Sequence, residues 1–200
     1  MAAVLHAVSD LVAVKPTALI PVANGSEEIE TAALVDVLAR GGVRVTLADV
    51  GEDDDHFVTM AQGTIVQADK AISACTHLDF DVIVVPGGPG AATLAECQDL
   101  ITLLKSQKNA GKLYGGICAG PVDVLLKHGL TSNVMTCYPE SNKMLGAIYT
   151  DDRVVIADNC VTSQGPDTAI DMGLTLVELL RGEATAKKVA DGIDAYDWKH

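Results

Sequence analysis

The sequence predicts a doubly wound α/β fold, in which a mostly parallel sheet carries helices on both faces. Short apolar runs alternate with helical segments along the chain, which is the order expected of such a sheet. Several runs are apolar throughout, as in strands that are covered on both sides. Hydrophobic residues make up 48% of the 200 residues but aromatic residues only 4%, so the predicted core consists of Ala, Val, Leu and Ile. This length fits one domain with a substantial core.

A right-handed βαβ unit opens the predicted domain. Its first strand, residues 17–23, is the apolar run TALIPVA. Its helix, residues 27–40, carries a stripe that we expect to be buried, formed by Ile29, Ala33, Val37 and Leu38. Two glycines then stop the helix. The remaining elements predicted in this half are a strand at 43–49, a solvated acidic loop at 51–56, a small separate hairpin within 59–67 and a strand at 81–85, while 69–77 fits no single element.

The second half continues the alternation of helices and strands. A helix over 91–109 is interrupted near 96–98, and a strand over 112–117 follows it. We expect residues 1–16 to form an N-terminal extension, 17–191 the domain and 192–200 a C-terminal tail. The remaining predicted elements are a helix at 121–128, a strand at 133–137, a short helix or loop at 140–147, a hairpin of strands at 154–158 and 160–162, a helix that opens at 163–167 and runs to 180, and a last helix at 183–191.

The composition argues against several classes of partner. A formal net charge of −13 disfavours binding to nucleic acid or to an acidic membrane surface. No apolar run reaches the length of a bilayer, so we expect no membrane partner. The five cysteines form no C-x-x-C pair, so neither a metal site of the zinc type nor a thioredoxin-type motif is predicted. Their odd number and the lack of a secretion signal indicate a reducing compartment, which predicts a cytoplasmic protein.

The most informative stretch is GICAGP at residues 116–121. It has the Gly-x-nucleophile-x-Gly pattern of a nucleophile elbow, with the thiol of Cys118 in place of a hydroxyl. A sharp turn from strand to helix leaves no room for side chains beside the nucleophile, which explains the flanking glycines. Pro121 suits the first turn of the following helix. Because the positive end of that helix favours a thiolate, we interpret Cys118 as reactive and not as an inert buried cysteine.

The sequence offers no histidine where a hydrolase triad would need one. Only His128 and His200 follow Cys118, and His128 lies ten residues further along the same predicted helix. A carboxyl group is the better candidate. Glu30 lies in the first helical turn after the first strand, at the same sheet edge, where an apolar pocket would raise its pKa. A protonated Glu30 could donate a hydrogen bond to the sulfur and shuttle a proton, while compensation of the helix dipole is its alternative role.

Backbone N–H groups are expected to complete this site. Attack by Cys118 on a carbonyl group would create an oxyanion, and the N–H of Ala119, the next residue, is placed to meet it. The N–H of Gly88 is the second candidate, because Gly87 and Gly88 follow a buried strand and allow close approach of a ligand. A phosphate-binding loop is not predicted there, since neither glycine-rich phosphate motif is present.

Four motifs together resemble the ThiJ/PfpI superfamily, and within it the branch that contains the parkinsonism-associated protein deglycase. They are ANGSEEIET at 23–31, VPGG at 85–88, GICAGP at 116–121 and TSQGP at 162–166. The resemblance implies a flavodoxin-like sandwich, related to the class I glutamine amidotransferase domains, and a homodimer. It also implies that the family's reactive cysteine is Cys118, its protonated glutamate Glu30, and its oxyanion donors Gly88 and Ala119.

The same resemblance implies chemistry without a cofactor on small reactive carbonyls such as methylglyoxal. In a glyoxalase reaction, Cys118 would attack the aldehyde, Glu30 would move a proton between the two carbons, and water would release lactate. Removal of early glycation adducts is a related deglycase activity, and both imply a role in protection against oxidative stress. The alternative is a non-enzymatic redox sensor or redox-regulated chaperone, in which Cys118 oxidises to sulfinic acid.

Several positions depart from the family pattern. Tyr138 stands where several members carry a histidine near the cysteine, and we expect it to bind substrate, because tyrosine is a poor base near neutral pH. Ala119 replaces the histidine beside the elbow in the protease branch, which disfavours protease activity. A glutamine amidotransferase-like activity lacks its downstream histidine. Arginines that some members place near the pocket are Gln62 and Gln164 here, and Cys137 is a candidate resolving thiol.

Overall fold

The structure, a computed structural model, describes residues 14–51, 55–195 and 198. Most of the predicted N-terminal extension and part of the acidic loop therefore lie outside the described residues. The strands are β1 (Thr17–Val22), β2 (Arg44–Asp49), β3 (Phe57–Thr59), β4 (Ile65–Gln67), β5 (Lys70–Ala71), β6 (Val82–Val85), β7 (Leu113–Ile117), β8 (Val154–Ala157) and β9 (Cys160–Ser163). The α-helices are α1 (Glu28–Arg40), α2 (Ala91–Glu96), α3 (Gln98–Ala110), α4 (Asn142–Leu145), α5 (Ala169–Arg181) and α6 (Glu183–Gly192).

Seven of these strands form one sheet in the order β5-β2-β1-β6-β7-β9-β8. Neighbouring strands are parallel except for β8, which runs antiparallel to β9. Ranked along the chain, the strands β1, β2, β6, β7 and β9 follow the order 2-1-3-4-5 of a flavodoxin-like sheet. The predicted fold class is therefore confirmed. The order reverses between β1 and β6, and ligands of such folds bind outside the carboxyl ends of the strands at this point.

Helices cover both faces of the sheet and bury two separate hydrophobic clusters. Side chains alternate between them along each strand: Leu19 of β1 belongs to one cluster, and Ala18 and Ile20 to the other. One cluster includes leucines of α2 and α3, namely Leu94, Leu100 and Leu104, and the other includes Leu34, Leu38, Met172, Val177 and Val189 of α1, α5 and α6. Because both faces are covered, the central strands are apolar throughout, as their sequences predict.

Several local predictions are confirmed. The strands β3 and β4 pair as an antiparallel hairpin outside the main sheet, and β8 pairs with β9 as the second predicted hairpin. The break between α2 and α3 falls at Cys97. The unassigned segment 69–77 contains β5 and a 3₁₀ turn, Ile72–Cys75.

The buried side of α1 differs in part from the predicted stripe: Val37 and Leu38 are buried as predicted, whereas Ala33 is only partly buried. Ile29 is 58% exposed, whereas Glu30 is completely buried. The buried residues of the helix are Glu30, Thr31, Leu34, Val37 and Leu38, which follow the expected helical spacing from position 30 instead of 29. Helix α1 thus turns a carboxyl group towards the protein interior.

The predicted strand at 133–137 is not a sheet strand. Both edges of β9 are already occupied, by β7 on one side and β8 on the other, so the segment cannot pair with β9. It forms one isolated bridge, between Met135 and Tyr149, and the N–H of Thr136 donates to the hydroxyl of Thr162 at 3.0 Å. The predicted helix after the elbow is also irregular, with a π-helical turn at Pro121–Leu125 and a 3₁₀ turn at Leu126–His128.

Among the described residues, no helix combines the length and the apolar character needed to cross a bilayer.

Candidate active site

The nucleophile elbow lies at the carboxyl end of β7, near the centre of the sheet. Cys118 has a φ of 60°, a left-handed conformation that is unfavourable for residues other than glycine. Its N–H donates to the carbonyl of Ser163 at 3.0 Å, and its own carbonyl accepts the N–H of Tyr138 at 2.9 Å. Strand β9 and the segment before Pro139 therefore hold the strained residue on both sides.

The loop after β6 packs directly against the nucleophile. A Cβ placed on Gly87 would lie 2.6 Å from Cβ of Cys118 and 2.9 Å from its Sγ, so a side chain does not fit. The next residue, Gly88, meets the loop between β1 and α1, where a Cβ would lie 2.5 Å from the carbonyl oxygen of Gly25. The same loops join through backbone hydrogen bonds, from Glu27 N–H to the carbonyl of Gly87 at 3.1 Å and from Gly90 N–H to that of Gly25 at 2.9 Å.

Glu30 enters this site from the first turn of α1. Its Oε2 accepts the N–H of Gly87 at 2.7 Å. Its Oε1 is buried and has no hydrogen-bond partner within the described part of the chain. Glu27 acts as the N-cap, because its side chain accepts the N–H of Glu30 at 2.7 Å. The helix end is thus capped by another carboxylate, which leaves the carboxyl group of Glu30 free to face the nucleophile.

Burial dominates the electrostatics of this pair. It raises the pKa of Glu30 to about 7, against the lowering effects of the Gly87 N–H and the Cys118 thiol. The pKa of Cys118 is raised to about 12, mainly by burial and next by the charge of Glu30, whereas the N–H groups of Gly88 and Ala119 lower it. Two negative charges are unfavourable side by side, so the thiol of Cys118 keeps its proton near neutral pH while the carboxyl group of Glu30 titrates.

The prediction that the pKa of the thiol is lowered is therefore wrong, because burial raises it. The prediction relied on the positive end of a helix after Cys118. The segment that follows is a π-helical turn of only five residues, Pro121–Leu125, and the sulfur is partly buried beside a carboxyl group. Opposing this, the backbone N–H groups of Gly88 and Ala119 interact with the sulfur and lower the pKa of the thiol.

Comparison with known proteins identifies the relatives of this fold and site. Residues 16–179 match the DJ-1/PfpI family. The chain belongs to this family. It is 44% identical over 160 residues to the glutathione-independent glyoxalase DJR-1.2 of Caenorhabditis elegans, covering 78% of this chain and 84% of that protein. It is 36% identical over 182 residues to protein dj-1beta of Drosophila melanogaster, covering 88% and 96%. The solved structure of oxidized DJ-1 from Toxoplasma gondii superposes with a TM-score of 0.86 at 39% identity, covering 89% of this chain and 97% of that one.

Tyr138 occupies the border of the site in this DJ-1/PfpI member. Its backbone contacts the elbow, and its side chain is 39% exposed. It lines a cavity of about 250 Å³ together with Gln164 and Gly165. The amide of Gln164 donates to Asp151 at 3.0 Å, whereas the N–H of Gln62 donates to Glu28 at 2.9 Å.

Other candidate residues lie apart from the elbow. His128 places Nε2 at 2.8 Å from the carbonyl oxygen of Ala95, on the surface that α2 forms with the turn after the elbow. Cys137 belongs to one hydrophobic cluster, whereas Cys118 packs against the other. No group of three or more His, Cys, Asp or Glu side chains lies together in the described ranges, so we identify no set of metal ligands there.

Thr168 supports the site but was not singled out from the sequence. Its hydroxyl accepts the N–H of Gln164 at 3.2 Å and that of Gly165 at 3.0 Å, and it bonds to the hydroxyl of Ser163 at 2.6 Å. These bonds fix the end of β9, whose Ser163 carbonyl in turn holds Cys118. The signal in the sequence is a threonine three residues after Gly165 at the start of a helix, a spacing typical of side chains that bond to free backbone N–H groups.

Proposed function

We propose that this protein is a cofactor-independent, cysteine-dependent enzyme that acts on small reactive carbonyls and converts methylglyoxal to lactate. One observation carries the proposal: the carboxyl group of Glu30, completely buried and with a pKa raised to about 7, lies beside the thiol of Cys118. A group that titrates near neutral pH is suited to both accept and donate protons. The similarity to a glutathione-independent glyoxalase agrees with this reaction.

The first step forms a bond between sulfur and the aldehyde carbon. Ionised Glu30 takes the proton of the Cys118 thiol as the sulfur attacks, so the high pKa of the free thiol does not prevent reaction. The carbonyl electron pair moves to oxygen, where the N–H groups of Gly88 and Ala119 stabilise the negative charge. Glu30 then returns its proton to this oxygen, which gives a neutral hemithioacetal.

The second step moves hydrogen between the two carbons of the substrate. Ionised Glu30 removes the proton from the carbon bonded to sulfur, the electron pair forms a carbon–carbon double bond, and the hydroxyl proton of that carbon passes to the second oxygen, which gives an enediolate. The same carboxyl group then protonates the neighbouring carbon, which leaves lactate bound to Cys118 as a thioester. Water adds to this thioester, the carbon–sulfur bond breaks, and the thiol is restored. The sum is methylglyoxal plus water giving lactic acid, with no change in the enzyme.

Substrate binding is assigned to the side of the elbow where Tyr138 lies. The phenol hydroxyl can donate a hydrogen bond to the second carbonyl oxygen but does not act as a base at neutral pH. Removal of early glycation adducts, a deglycase activity, would use the same thiol and carboxyl group as the glyoxalase activity. Both activities would protect the cell during oxidative stress.

A redox sensor or redox-regulated chaperone is the second candidate. The Oε1 atom of Glu30 has no partner within the described part of the chain, so a protonated carboxyl group could donate to an oxygen of oxidised Cys118. The relative from Toxoplasma gondii whose solved structure is described as oxidized belongs to the same family.

We further propose that the protein acts as a homodimer in the cytoplasm. Two isoleucines near the site are largely exposed, Ile29 at 58% on α1 and Ile65 at 65% on β4, and a second copy would cover them. The five cysteines are free, in agreement with a reducing compartment. No nucleic acid or membrane is needed for the proposed reaction.

The test is lactate formation from methylglyoxal in the absence of glutathione. Wild type should form lactate, whereas Cys118→Ala and Glu30→Gln should not. Matched controls are Cys97→Ala, which removes another partly exposed thiol, and Glu28→Gln, which neutralises a carboxylate in the same helical turn as Glu30. Both controls should retain activity. Absence of lactate with wild type and with every variant would overturn the proposed enzyme activity. Sulfinic acid found on Cys118 after peroxide treatment would then support the role as a redox sensor.

A further inference from the structure

A cavity of about 450 Å³ lies at the opposite end of the sheet from Cys118. Helices α1 and α5 begin near the carboxyl ends of the strands and end at the other edge, where their last residues, Arg40 and Arg181, line this cavity together with one side of α6. None of the described residues that line it is acidic, although the chain has 27 Asp and Glu residues against 14 Lys and Arg. This is a basic site on an acidic protein.

Arg181 has an unsatisfied group at this cavity. A Cβ placed on Gly42 would lie 3.9 Å from both Nε and Nη2 of Arg181, so the guanidinium lies over the backbone after α1. The Nε atom is buried and has no acceptor within the described part of the chain. A cation at the end of α5 complements the helix dipole, but this role does not provide an acceptor for a buried N–H. An anion bound in the cavity would provide one after the guanidinium turns towards it.

Lys188 supplies a second positive charge, and it does not lie at a helix end where it would compensate a helix dipole. It lies in the middle of α6, is exposed, and forms no ion pair with the residues that the structure describes, whereas its neighbour Lys187 bonds to Asp191 at 3.3 Å. Arg40 contributes less, because Asp36 lies 2.6 Å from its Nε. The side of α6 that carries Thr185 and Lys188 lines the cavity along the length of the helix and adds no acidic residue to it.

We propose that this cavity binds a small molecule with two or more negative charges of the phosphate or carboxylate type. Arg181 would hold the anion through its guanidinium, whose planar donors match the oxygens of both groups. Lys188 would add a flexible charge at the rim. The volume lies within the range of sites for small molecules. This site is separate from the elbow and does not depend on the reaction proposed for Cys118.

Titration calorimetry with inorganic pyrophosphate at low salt tests this site on the full chain. Wild type should bind saturably, and its affinity should fall as sodium chloride screens the charges. Arg181→Gln should weaken binding about tenfold, as expected for loss of a charge-assisted hydrogen bond. Lys188→Gln should weaken it about two- to fivefold, because the lysine is exposed and its loss does not threaten folding. Lys187→Gln, the matched control, should bind like wild type.

Two results would overturn the proposal. One is the absence of saturable binding up to about 10 mM pyrophosphate, which would leave an affinity too weak for a specific site. The other is an equal loss of affinity in Lys187→Gln and Lys188→Gln, which would indicate general attraction to surface lysines. Arg181→Lys provides a further check, because it keeps the charge but removes the planar donors, and it should bind more weakly than wild type.

Discussion

Replacing Glu30 by glutamine should remove a loss of stability that the wild-type protein undergoes as the pH rises. Burial raises the pKa of Glu30 from 4.5 to about 7 in the folded protein. Between these values the folded state holds a proton that the unfolded state has released, so a rise in pH favours unfolding. Above the folded pKa both states are ionised, and the full penalty for a buried carboxylate is present.

The size of this effect follows from the two pKa values. A difference between 4.5 and about 7 corresponds to about 3.4 kcal/mol when ionisation is complete. About 2.5 kcal/mol of this loss falls between pH 5 and pH 8. Glutamine has nearly the same shape and does not ionise, so the Glu30→Gln protein should gain this amount relative to wild type over the same range.

Urea unfolding at several pH values measures the difference directly. Glu28→Gln is the matched control. The pKa of Glu28 is lowered in the folded protein, so the stability that this carboxylate contributes is lost only as the pH falls below about 4.5. The stability of the Glu28→Gln protein should therefore parallel that of wild type from pH 5 to pH 8. A constant difference between Glu30→Gln and wild type across this range would refute the raised pKa, and with it the account of Glu30 as a group that titrates near neutral pH.

Other parts of the site make predictions of the same kind. Cys118→Gly should be about 1 kcal/mol more stable than Cys118→Ala in urea unfolding, because only glycine adopts a φ of 60° without strain, and equal stability would argue against strain at the elbow. Gly87→Ala should lower lactate formation at least about tenfold, since its Cβ would lie 2.6 Å from that of Cys118, whereas Gly192→Ala, with no atom within 4 Å of its Cβ and no left-handed backbone, should keep the activity of wild type. Thr168→Val should destabilise the protein by about 1–3 kcal/mol by leaving buried N–H groups unpaired, while Thr168→Ser should restore most of that loss; a valine variant as stable as wild type would contradict this role.

The sequence predicted most of the fold because its signals are local. Apolar runs, glycine stops and turn residues placed the strands and most helices within a few residues of their actual bounds. The segment 133–137 has the same apolar character as a strand, yet it forms none, because β9 has no free edge for it. Whether an edge is free depends on strand order, which is a property of the whole sheet and not of five residues.

The site was predictable where sheet topology brings strand ends together. Glu30, Gly88 and Cys118 each follow a parallel strand, and the structure brings all three to the same sheet edge. The pKa of the thiol was not predictable, because it depends on how deeply the sulfur is buried beside a carboxyl group. The basic cavity was not predictable either, since Arg181 and Lys188 meet the end of α1 only in the folded chain.

The contact between the loops after β1 and β6 has a consequence for protein engineering. A Cβ on Gly88 or on Gly90 would lie 2.5 Å or 2.4 Å from the backbone of Gly25 and Ser26, so the two loops touch main chain to main chain. Their relative position does not rely on any side chain that a library could exchange. Directed evolution of substrate range should therefore randomise Tyr138 and Gln164 and leave these loops unchanged. A library in the loops would mostly yield proteins in which the N–H of Gly87 no longer reaches the carboxyl group of Glu30 at the start of α1.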